Sequence, residues 1–184
     1  MRMEVHVHGN IALCKGVTRA QIESALNPWL DYLDVDSIDE AKSLEPDEPG
    51  VALDDKGRVL SMCWTGDIGR SFHRRLEEAL QALGPYTEEA SEVEVSVFHD
   101  NGEEEYRLIF VGPTPESIQH AERNRMIEDV AALLSRRFDQ QAVEEVVTLV
   151  NELFTRDWAA GGSSAADDFA NAQPHTRPHR KHLH

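Results

Sequence analysis

The chain has 184 residues, with 34 Asp and Glu against 18 Lys and Arg and a formal net charge of −16. That length predicts a core able to remove about 70% of the unfolded surface without a metal or disulfide, and that charge argues against generic nucleic-acid binding, because phosphate contacts need a basic face. Cys14 and Cys63 lack a CxxC spacing, polar residues from Arg2 to His8 interrupt the only candidate leader, and no window approaches the ~18 apolar residues of a membrane span; a cytoplasmic, reducing setting is expected.

Residues 3–8 alternate strictly: Met3, Val5 and Val7 fall on one face, and Glu4, His6 and His8 on the other. This is the period of a half-buried strand. Thr18 and Gln21 form a capping box ahead of Ile22, Ala25 and Leu26, which predicts a helix. Pro28 is expected to break it, with Asn27 capping a restart that carries Trp29, Leu30 and Leu33. A second capping box, Ser37 and Glu40, predicts a short helix to about Leu44, followed by a loop over residues 45–50.

Val51–Leu53 and Arg58–Trp64 read as strands joined by a tight turn at residues 54–57. A helix is expected from about Asp67, as its cap, to Leu83, with Ile68, Phe72, Leu76, Ala79, Leu80 and Leu83 on one stripe and Gly84-Pro85 as its stop. Glu92–Phe98 alternates, Asp100-Asn101-Gly102 predicts a hairpin, and Tyr106–Val111 is the return strand. Thr114-Pro115-Glu116 opens a helix to about Phe138, and Asp139 caps a last one to about Thr155 with the stripe Val143, Val146, Val147, Val150, Leu153 and Phe154. From Gly161 the composition turns to Gly, Ser, Ala, Asp, Pro and His, which predicts a disordered His-rich tail over 161–184.

The succession of elements predicts a single α+β domain over residues 1–160. It has a ferredoxin-like βαββαβ core, an added fifth strand (order 5-4-1-3-2) and a C-terminal helical pair. The first strand is expected inside a mixed sheet, with helices on one face. The other face is expected to be partly covered, with a polar opening near the first strand onto which Glu92, Glu94 and Ser96 look.

Two candidate sites follow. Glu4, His6 and His8 share a strand face with the two imidazoles about 7 Å apart, and carboxylate with imidazole suits zinc or another divalent metal able to activate water. The plainer reading of the same residues is a solvated sheet face. Thr65, Gly66, Gly69, Arg70 and Arg74 lie between a strand and a helix, where backbone amides and a helix N-terminus hold anions such as a nucleotide phosphate. Against that stand Asp67, itself an anion, and the lack of a Walker or GxGxxG pattern. No nucleophile–base motif assigns a catalytic residue. The expectation is a non-enzymatic protein-binding or regulatory module, with a metal-dependent hydrolase or an anion binder as alternatives. Its expected partner is another protein or a second copy of itself, with neither nucleic acid nor membrane.

Overall fold

Alternation over ten residues makes β1 (Met3–Ala12), the central strand of the sheet. The computed structural model describes residues 3–54, 56 and 58–159, so the expected tail and the turn residue Gly57 lie outside it. After β1 come α1 (Arg19–Leu33), a turn of 3-10 helix at Ile38–Glu40, β2 (Gly50–Leu53), β3 (Val59–Ile68) and α2 (Phe72–Leu83). Then follow β4 (Ser91–His99), β5 (Glu104–Val111), α3 (Pro115–Leu134) and α4 (Gln140–Ala159). The chain divides into two compact units between Met126 and Ile127, inside α3. Among the described residues no helix is long and apolar enough to cross a membrane.

The five strands stand in the order β2-β3-β1-β4-β5, which is the expected order. Every neighbouring pair is antiparallel, so the expected mixed sheet is corrected. The reason is topological. The α1 crossover sets β2 down parallel to β1 but one place away, and β3, returning by a hairpin from β2, fills the gap in the opposite sense. The same holds for α2 and β4, which lands on the far side of β1.

α1 and α2 share one sheet face and bury a continuous apolar core with Val5, Val7, Ile11, Leu60, Met62, Trp64, Val93, Val95 and Val97. Each large aliphatic or aromatic side chain taken fully out of water there contributes about 1.5–3 kcal/mol. The capping box at Thr18 forms as expected, with the Gln21 amide donating to the Thr18 hydroxyl. Pro28, however, does not break the helix: α1 runs through it to Asp34, which closes it in the left-handed region at φ 58°. Ile22, Ala25, Leu26, Trp29 and Leu30 are all buried on one stripe spanning the proline, and their joint burial exceeds the ~3 kcal/mol that an interior proline costs.

Two further boundaries move. The helix expected from Ser37 to Leu44 shrinks to the single 3-10 turn. β3 continues to Ile68, four residues past Trp64, because β1 supplies partners from Val7 opposite Trp64 to Met3 opposite Ile68. α2 therefore starts at Phe72 after Ser71, and Asp67 is a strand residue opposite Glu4 rather than a helix cap.

Candidate functional site

The face of the sheet turned away from α1 and α2 is the candidate site. Period-2 alternation puts Glu4, His6, His8 and Asn10 of β1 on it. Register adds their neighbours in rows across the strands. The His6 row reads Thr65, His6, Ser96, Tyr106, the His8 row reads Cys63, His8, Glu94, Leu108, and the Glu4 row reads Asp67, Glu4, Phe98, Glu104. Glu94 and Ser96 thus face the opening as expected, and Glu92 lies next along β4 on the same face.

Three groups organise this face. His6 Nε2 lies 3.3 Å from Glu4 Oε1, and its ring meets Phe98 edge-on at 5.0 Å between centroids. Beyond β3, the loop that precedes β2 folds back over the sheet. The Thr65 hydroxyl donates to Glu48 at 2.8 Å, the Ser43 hydroxyl donates to Glu48 at 2.5 Å, and Ser43 Oγ accepts from the Thr65 amide at 2.9 Å. These bonds bury Thr65. The Ser43 bond first, then the Thr65 bond and the nearby His6 and His8, hold the Glu48 carboxyl below its ordinary range. On the other flank, Arg125 of α3 donates to Glu92 and lies 3.9 Å from Glu94. Burial, and then a hydrogen bond with Glu94, pushes the Tyr106 phenol up.

Chemically this face sets carboxylates beside aromatic rings. Glu4, Glu48, Glu92, Glu94 and Glu104 supply carboxylates, while Phe98 and Tyr106 stand 37% and 52% exposed beside them. Carboxylates next to an aromatic ring match a guanidinium or ammonium group, which pairs with the first and stacks on the second. Cys63 faces His8 across the strands, but burial first and Glu48 second push its thiol up, away from the thiolate form that a nucleophile uses.

The expected metal ligands share the expected face, yet they do not converge: Glu4 and His6 turn to each other, and among the described residues no three His, Cys, Asp or Glu side chains form a metal-holding group. The expected anion loop is divided. Thr65 faces the open side and donates to a carboxylate, Gly66 lies on the helix side against the Trp64 ring, and the Gly69 amide donates to the Tyr32 hydroxyl at 2.6 Å. Arg74 is exposed and lies 3.9 Å from Glu78, Arg75 pairs with Glu78 at 3.2 Å, and Arg70 is exposed.

Glu48, Phe98, Tyr106 and Arg125 join this surface without having been expected there. Phe98 has the parity of Glu92, Glu94 and Ser96, and the Asp-Asn-Gly turn fixes the register that brings Tyr106 beside Ser96, so these two were findable. Glu48 sits in a loop and Arg125 within a helix, where no periodicity points to a sheet.

Residues 3–155 match the model of a family of unknown function, DUF6806, and the chain belongs to that family. No curated protein and no solved structure matches it.

Proposed function

We propose that this chain is a non-enzymatic binding module that holds a basic, Arg- or Lys-bearing segment of a protein partner on its open sheet face. One observation supports the reading above the others: exposed Phe98 and Tyr106 stand among Glu4, Glu94 and Glu104 on the sheet face opposite α1 and α2. Aromatic residues on an open antiparallel sheet are also how single-stranded RNA is stacked, but the carboxylates here repel phosphate, so a cationic peptide suits the surface better. We read the first six elements as a ferredoxin-like plan extended by β5. The element order and the strand order support that reading. The free thiols of Cys14 and Cys63 fit the cytoplasmic setting expected from the sequence.

The test is capture from native lysate by the full chain and by a Glu94→Lys, Tyr106→Ala variant, each at low and high salt. The reading expects a partner held by the parent at low salt only and lost by the variant. A partner retained equally by both proteins, or none at low salt, refutes it. The hydrolase alternative is less well supported, since Glu4, His6 and His8 do not form a converged donor set.

A further inference from the structure

α4 carries two apolar seams side by side. Val143, Val147, Val150 and Phe154 form one, spaced 4-3-4, and all four are buried or partly buried. One residue back along the helix, Ala142, Val146, Leu149 and Leu153 repeat the same spacing. In this second seam Val146, Leu149 and Leu153 are 37%, 51% and 48% exposed. Spacing of 4-3-4 is the heptad seam of a coiled coil, with the β-branched Val146 and the leucines as knobs. A globular helix needs one such stripe, and the second stands largely exposed.

The residues that end the open seam say what fits it. Continuing the 4-3-4-3 rhythm backwards reaches Asp139, and forwards reaches Arg156. Arg156 is the only Lys or Arg between residues 139 and 156. Laid antiparallel on itself, the seam places Val146 against Leu149 and Ala142 against Leu153. It then sets Arg156 of each copy opposite Asp139 of the other. Laid parallel, Arg156 meets Arg156 and Asp139 meets Asp139, and the helix dipoles also align unfavourably. We infer that α4 forms a twofold antiparallel coiled coil with α4 of a second copy of this chain, closed at each end by an Arg156–Asp139 pair. The self-complementarity of shape and charge is that of an isologous interface.

The seam from Asp139 to Arg156 is about 26 Å long at 1.5 Å per residue. A two-helix contact of that length buries roughly 1,000 Å² in total, at the low end for a specific interface, so the dimer is expected to be weak, with Kd of about 10–100 µM.

Sedimentation equilibrium of the full chain across that range is the test. Leu149→Glu puts two charges into the middle of the apolar layers and is expected to weaken the dimer at least ~100-fold. Helix content should be unchanged, because Leu149 is exposed within the chain. Leu153→Glu is a second variant with the same expectation. Arg156→Glu sets an acid against Asp139 at both ends and is expected to weaken the dimer about tenfold, whereas Arg156→Lys preserves it. A chain that stays monomeric at roughly 500 µM, or a dimer whose Kd ignores both Leu149→Glu and Leu153→Glu, overturns the inference. Indifference to Arg156→Glu overturns the antiparallel arrangement.

Discussion

Replacing Gly66 by alanine should lower stability, against the usual direction for a strand glycine. Gly66 does not have positive φ, so alanine is conformationally permitted, and strand propensity alone favours the change by about 0.5–1 kcal/mol. Space decides otherwise. A Cβ at residue 66 falls inside the van der Waals envelope of the Trp64 six-membered ring, whose Cζ3 is the farthest of three crowded atoms at 3.0 Å. Three contacts hold that ring in place. It stacks on Phe72 at 11° and 5.9 Å, meets Trp29 edge-on at 5.5 Å, and its Nε1 donates to the Lys42 carbonyl at 3.0 Å. Overpacking a filled core costs ~1–3 kcal/mol, and displacing the indole forfeits a hydrogen bond of ~1 kcal/mol. The net loss is about 1–3.5 kcal/mol, or a Tm lower by roughly 2–14 °C for a chain of this length. Thermal and urea unfolding followed by circular dichroism and tryptophan fluorescence measure it. Trp64→Phe in the Gly66→Ala background frees the space and should show coupling of more than ~1 kcal/mol in a double-mutant cycle. A Gly66→Ala protein as stable as the parent, or more stable, refutes the reasoning.

Two further outcomes are expected, alongside the capture and sedimentation experiments above. Ser43→Ala, and to a lesser extent Thr65→Val, should raise the Glu48 carboxyl towards its ordinary range, read by carbon NMR titration. Because the folded value is lowered, the stability that Glu48 gives its loop is present at neutral pH and lost as pH falls through that value, seen as faster amide exchange over residues 43–49. Burial first and Arg107 second lower His73 from its ordinary 6.5, so it favours the neutral ring. Stability should be full above that pH and decline below it, and His73→Gln should flatten the decline in a Tm-against-pH series.

What the sequence made legible was periodicity. Alternation in β1 and β4, the capping box at Thr18, the Asp139 cap and the Gly102 turn all appear where local chemistry put them. With crossover rules they were enough for the strand order. What failed depended on partners far along the chain. The last four residues of β3 are strand because β1 lies beside them, and α1 survives Pro28 because the sheet takes its stripe. Of the candidate site, the β1 face was readable, since parity is a local property. The arrival of Glu48 and Arg125 was not, because neither carries a pattern that names its destination. The expected anion loop dissolved for the same reason: once residues 65–68 are strand, alternation sends Thr65 and Gly66 to opposite faces.

β1 is paired along both edges, with β3 on one and β4 on the other, and its last partner is His99. During synthesis it therefore leaves the ribosome with neither edge satisfied and waits for almost a hundred residues before its second neighbour exists. Throughout that interval Val5, Val7 and Ile11 offer a ready template to any passing chain. Glu4, His6 and His8, on the reverse of the same ribbon, are polar residues of the kind that interrupt an aggregation-prone strand, so the alternation that fixes which face is buried also lowers the hazard of the unpaired strand.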